Sequence, residues 1–161
     1  MPKSFFILTL ILGLVSCDSK RVFDEYSLVE NNCWLIDDVV EFKVEVEDTI
    51  SKNNIFINIR NNKEYEFSNL FLIASMEFPN GLKVIDTLEY EMTDKAGNYL
   101  GSGYTDIKEN KLFYKEKVRF QNKGLHILKV EQAMRKSSNI HGLDSLKGIA
   151  DIGLRIETVT E

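Results

Sequence analysis

From residue 40 onward apolar and polar side chains alternate with a period of two. Val40, Phe42, Val44 and Val46 fall on one side of an extended backbone, and Glu41, Lys43, Glu45 and Glu47 on the other. Alternation of that kind predicts a strand with one face in a core and the other in water. Ile55, Ile57 and Ile59 repeat it after a polar stretch at 48–54, and Asn61-Asn62-Lys63 supplies residues that tolerate a left-handed turn. Leu70-Phe71-Leu72-Ile73-Ala74 is apolar on both sides, which predicts a central strand. Residues 82–92 continue in strand phase through Val84, Leu88, Tyr90 and Met92, with Asp86 as the exception. A hairpin connection at 94–98 leads into a candidate strand at 99–104, and two further strands at 111–121 and 125–134 flank Asn122-Lys123-Gly124. Ile152, Leu154 and Ile156 close the pattern. Eight short strands at regular spacing predict an all-β, antiparallel β-sandwich, Ig-like or jelly-roll-like, over residues 34–161. Residues 135–147 carry no helical periodicity and read as a long loop with one helical turn near 143–147, and 18–33 read as a polar tether.

The first seventeen residues follow a different rule. A short basic start at Lys3 precedes an apolar run from Phe5 to Val15, too short to span a bilayer, which needs about 20 such residues. This is the layout of a secretory signal peptide. Its end, Leu14-Val15-Ser16-Cys17, resembles the bacterial lipobox, in which a dedicated peptidase cuts just before a cysteine that carries a diacylglyceryl thioether. The alternative is an ordinary secretory signal with an incidental cysteine. On the lipobox reading, residues 1–16 are removed, Cys17 is the lipid attachment site and acyl chains such as palmitate hold the chain to a membrane, since two or three chains anchor far more firmly than one. Cys33 then has no disulfide partner and reads as a small buried hydrophobe beside Trp34.

Composition narrows the remaining chemistry. The 161 residues carry 20 Lys and Arg against 25 Asp and Glu, a formal net charge of −5, so there is no basic surplus to neutralise a nucleic acid. With 2 Cys and 2 His, an all-protein Cys/His zinc site is out of reach, and neither metal nor cofactor is expected. The Gly97-x-x-x-Gly101-x-Gly103 spacing lacks the strand–loop–helix setting and the lysine of a phosphate loop and reads as a bend. Asp24-Glu25 and Asp37-Asp38 are neighbours in extended chain, so they point to opposite faces and do not converge as an acid–base pair. His126 reads as a satisfied structural histidine on a strand, and His141 lies in a loop with no partner spacing. No catalytic residues and no small-molecule substrate follow from these patterns. A second reading, a surface glycan-binding module or hydrolase serving polymer uptake, requires Trp34, Tyr99 and Tyr104 to stand exposed together.

Several stretches resemble the GldH family of gliding-motility lipoproteins. They are Phe67-Ser68-Asn69-Leu70-Phe71-Leu72, Asp86-Thr87-Leu88-Glu89-Tyr90-Glu91-Met92, Gly97-Asn98-Tyr99-Leu100-Gly101 and Tyr114-Lys115-Glu116. Gln132-Ala133-Met134-Arg135 follows, and the closing run from Gly148 through Ile152 to Glu157 completes the order. Tyr99 stands where the family more often has Trp, and Gln121-Asn122 where a proline turn is common; both touch turn detail only. The resemblance implies an outer-membrane lipoprotein, on the periplasmic face, needed for gliding over surfaces. It also implies a tie to type IX secretion and the movement of surface adhesins, with proteins of that machinery as partners. It carries over no catalytic residue and leaves Cys17 as the single functional position.

Overall fold

Ile55, Ile57 and Ile59 are each at most 1% exposed, the strongest consequence of their alternation. The computed structural model describes residues 18–135 and 141–160; the leader expected at 1–16 and the lipid attachment expected at Cys17 lie outside the described residues. Ten strands follow in order: β1 (Arg21–Leu28), β2 (Cys33–Leu35), β3 (Val40–Val46), β4 (Asn53–Asn61), β5 (Asn69–Glu77), β6 (Lys83–Glu91), β7 (Lys108–Val118), β8 (Gly124–Gln132), β9 (Ser145–Lys147) and β10 (Ile149–Thr158). A short 3-10 turn, Glu30–Asn32, joins β1 to β2. Pairing is antiparallel throughout, in two four-stranded sheets of order β1-β10-β4-β7 and β3-β8-β5-β6, with a two-stranded β2-β9 sheet beside them.

The two large sheets face each other across one core. Ile55, Ile57, Ile59, Ile152, Leu154 and Ile156 come from one sheet, and Phe42, Val44, Leu72, Ala74, Leu128 and Val130 from the other. Burying a side chain of this size contributes roughly 1.5–3 kcal/mol relative to exposure, so this layer is the main source of cohesion. The small sheet caps one end and buries Trp34 and Leu146, and the Trp34 indole N–H donates to the Asp38 carbonyl at 2.7 Å. β5 lies inside its sheet, between β8 and β6, as its two-sided apolar run predicts.

The antiparallel sandwich expected from the sequence is present, with ten strands rather than eight. Residues 21–28, expected in the tether, form β1 and pair with β10 from Arg21 to Leu28, so the sandwich begins before Trp34. Residues 143–147 hold no helical turn; Ser145–Lys147 is extended as β9 and pairs with β2. The stretch 99–104 is not a strand and makes only isolated bridges, Thr93 to Tyr99 and Ser102 to Glu109. A three-residue pairing is too short to show a period, which is why β9 carries no sequence signature.

Asp86, the out-of-phase acid, has a structural reason. It sits on edge strand β6 where the two sheets meet along one side, and it accepts from the Tyr114 hydroxyl at 2.9 Å and the Lys115 ammonium at 2.7 Å. Hydrogen bonding from Lys115 is the main cause holding its carboxyl below the usual range. In the same seam the Tyr90 hydroxyl donates to the Phe113 carbonyl at 2.6 Å. Burial pushes Tyr90 up to about 12, and it raises Tyr65 and Tyr114 as well. A raised phenol favours the fold while it stays neutral, so its stabilisation is complete below the ordinary value of 10.0 and is lost as pH climbs above it. Urea midpoints should therefore hold steady from neutrality to about that pH and then fall, with Tyr114→Phe flattening the fall. A decline that starts well below the phenol range would contradict this assignment.

Candidate functional site: the end of the sandwich where β1 starts

The site begins where the described chain begins. Asp18 follows Cys17 directly, and four interactions fix the next few residues. The Arg21 N–H donates to the Asp18 carbonyl at 3.2 Å, closing a turn, and the Lys20 N–H donates to the Asp18 carboxylate at 3.3 Å. The Thr158 N–H donates to the Lys20 carbonyl at 2.8 Å, extending the β1–β10 pairing. The Asp18 carboxylate itself is ion-paired with the Arg155 guanidinium. No slack linker separates Cys17 from β1. Even fully extended, the chain from Cys17 to Arg21 reaches only about 14 Å at 3.3–3.6 Å per residue.

Arg155 organises the outer face of this sheet. Its guanidinium also donates to Asp24 at 2.5 Å and to Glu157 at 2.5 Å, and Lys111 reaches Glu157 at 2.7 Å from across the sheet. Desolvation pulls the Arg155 guanidinium down, but hydrogen bonds to Glu157, Asp18 and Asp24 outweigh it and raise its pKa. Desolvation likewise works against the Glu157 carboxylate and is outweighed by the Lys111 and Arg155 hydrogen bonds, which leave it lowered. The Arg155 hydrogen bond is the main cause that lowers Asp18.

Further along the same face Tyr26 lies over Gly153, its cross-strand partner. A Cβ on Gly153 would stand 2.7 Å from the ring, so the missing side chain makes room for the tyrosine. The Arg60 guanidinium stacks 4.0 Å above the same ring, and Arg60 Nε donates to Glu109 at 2.7 Å. The Asn58 amide donates to the Tyr26 hydroxyl, which donates in turn to Glu109. This network welds β1 to β10, β4 and β7, and with them the start of the chain.

The other candidate residues do not assemble. Trp34 is 1% exposed in the core, the Tyr99 hydroxyl donates to the Tyr65 carbonyl at 2.7 Å with its ring half-buried, and Tyr104 stands fully in solvent. These three rings therefore do not stand exposed together, as the glycan-binding reading requires. Asp24 turns to Arg155, Glu25 is exposed, and Asp37 and Asp38 lie at the surface. Among the described residues no group of three or more His, Cys, Asp or Glu is gathered to hold a metal ion. Cys33 carries no disulfide and is only half-buried, not the buried hydrophobe its neighbours suggest. His126 is buried between Phe78 and Phe120 with Nδ1 3.0 Å from the Gly124 carbonyl. Its Nε2 has no hydrogen-bond partner, so it is less than the satisfied histidine expected.

A model of the GldH lipoprotein family matches residues 21–156, from the first residue of β1 into the last strand. The chain belongs to the GldH lipoprotein family. It is 48% identical over 157 residues to the gliding motility lipoprotein GldH of Flavobacterium johnsoniae, covering 98% of this chain and 97% of that one. A GldH homolog of Christiangramia forsetii is 47% identical over 152 residues, covering 94% of this chain and 92% of the relative. Among solved structures, the VP2 subviral particle of infectious bursal disease virus gives a loose likeness, with a TM-score of 0.35 and 15% identity. It covers 86% of this chain, which spans 31% of the viral one. The family match thus takes in nearly all of the sandwich, from the start of β1 to Ile156 of β10, including Asp24 and Arg155 of the clamp that alternation alone does not reveal. The one sequence sign of that clamp is Arg155, an outward-facing base flanked by Leu154 and Ile156 on a strand.

Proposed function

We propose that this chain is a lipid-anchored, non-catalytic component of the bacterial gliding machinery. Acyl chains on Cys17 hold it to the periplasmic face of the outer membrane. It acts by binding other proteins of the gliding and type IX secretion apparatus, and through them it serves the movement of surface adhesins. The observation that carries the reading is the near-full-length likeness, at 47–48% identity, to two proteins named as gliding motility lipoproteins. The physical arrangement supports it. A lipidated Cys17 next to a clamped Asp18 transmits any pull on the anchor straight into the sheet through the Arg155 ion pairs and the Lys20–Thr158 hydrogen bond.

A clean deletion in a host without a close paralogue should abolish spreading on agar, and the wild-type gene should restore it. The Cys17→Ala gene should fail to restore it and should incorporate no labelled palmitate. Spreading that survives the deletion would refute the motility role, and palmitate incorporation by the Cys17→Ala protein would refute the attachment site.

A further inference from the structure

The strand directions bring the starts of β1, β4, β6 and β8 and the ends of β3, β5, β7 and β10 to one end of the sandwich. It is the end from which Asp18 leads back to Cys17. Between the edge strands β6 and β7 at this end lies an open cavity of about 350 Å³. Its lining reaches the core at Ile55, Met76 and Phe120, and its outer wall includes Leu82 and Val84. Leu82 is 65% exposed, and Ile50, on the neighbouring loop, is 82% exposed. Arg119 lines the mouth, is exposed and has no ion-pair partner among the described residues, whereas Lys83, between Leu82 and Val84, alternates to the other face and is not part of the lining.

Charge is divided along the molecule in the same sense. Among the described residues, segments 18–21, 47–52, 78–83, 116–123 and 158–160 carry seven Lys and Arg against four Asp and Glu. The opposite end, in segments 29–39, 61–68, 91–108, 133–135 and 141–148, carries nine Asp and Glu against five Lys and Arg. An acidic protein has therefore gathered its spare positive charge, an apolar cavity and exposed aliphatic tips at the end nearest Cys17. Basic side chains beside inserted apolar ones are what an anionic lipid surface attracts.

We propose that this end seats on the bilayer and that the cavity takes one acyl chain of an anionic phospholipid from it, the phosphate lying at Arg119. The orientation rests on the lipid-anchor reading, because the covalent chains on Cys17 keep this end at the membrane. An anionic lipid surface suits the cavity because the apolar lining accepts the hydrocarbon while the unpaired Arg119 at the rim accepts the headgroup. The acidic end is left facing away from the bilayer.

The test uses the mature protein purified from its own membranes and reconstituted into vesicles of phosphatidylcholine, with or without phosphatidylglycerol. A trace of the phosphatidylglycerol, or in a second arm of the phosphatidylcholine, carries a diazirine on its acyl chain. After illumination, crosslinks should map to peptides containing Leu82, Val84 and Phe120. They should be at least about fivefold stronger from phosphatidylglycerol, the factor expected of even one base near an anionic surface. The variant Arg119→Glu, altered only at an exposed position, should lose that preference while keeping its thermal midpoint. Equal labelling from both lipids, or labelling that avoids these peptides, overturns the proposal. Intact mass of the same preparation reports the Cys17 modification independently. A protein without lipid at Cys17 overturns the anchor, whereas the cavity result is still read from the crosslinks.

Discussion

Replacing Gly148 by alanine is expected to cost about 3–5 kcal/mol of stability, the sum of backbone strain and overpacking at one site. Gly148 links β9 to β10 with a φ of +84°, a region that residues with a Cβ enter only at a cost. The space is closed as well. A Cβ would stand 2.6 Å from Tyr65 Cα and 2.7 Å from the Glu64 carbonyl carbon, both backbone atoms that no rotamer change can move. The Gly148 N–H donates to the Asn32 carbonyl at 2.8 Å, and its own carbonyl accepts from the Asn62 N–H at 2.9 Å. Any shift that relieves the clash therefore breaks a link between three chain segments. For a domain of this size each kcal/mol moves the thermal midpoint by roughly 2–4 °C, so the midpoint should fall by about 6–20 °C in a calorimetric scan. A Gly148→Ala protein that melts with the wild type would mean that 148 and 64–65 do not meet as described.

The second large effect belongs to Arg155. Its side chain is 17% exposed and lies against Asp24 and Glu157, which are 20% and 16% exposed. Arg155→Ala leaves those carboxylates half-shielded from water without their shared cation, although Lys111 still reaches Glu157. Removing one partner of a fully buried pair costs about 3–5 kcal/mol, and the residual solvent contact here lowers the expectation to roughly 2–3 kcal/mol. The pH dependence has a definite sign. Glu157 is lowered from its ordinary 4.5, so its contribution is present above that pH and disappears as pH falls through the folded value. Wild type and Arg155→Ala should therefore differ most in urea midpoint near neutrality and converge below the carboxylate range. A gap that stays constant into acid would show that the arginine acts by packing alone.

How far the sequence foretold this molecule depends on how much each strand buries. β3, β4 and β10 show their period because one side of each is sealed in the core; Val44, Ile57 and Leu154 had to be apolar. β1 hides its nature because it is an edge strand whose outward residues, Asp24 and Tyr26, serve the Arg155 and Arg60 networks rather than water. Its composition thus reads as a polar tether. β2 and β9 are held by Trp34 and Leu146 and by pairing across more than a hundred residues, which leaves no local trace. The lipid attachment proposed at Cys17 rests on a local signal, the lipobox-like four residues at a fixed distance from an apolar run. The clamp behind it leaves no local signal, since Asp18 and Arg155 lie 137 positions apart.

We place a covalent lipid on Cys17, holding the clamped end of this sandwich at a membrane. Mass spectrometry of the protein isolated from its native membranes reads this out. The expected chain begins at Cys17 and is heavier than its residues by a diacylglyceryl group on sulfur. A chain that retains Met1, or one with a bare Cys17 thiol, would contradict it.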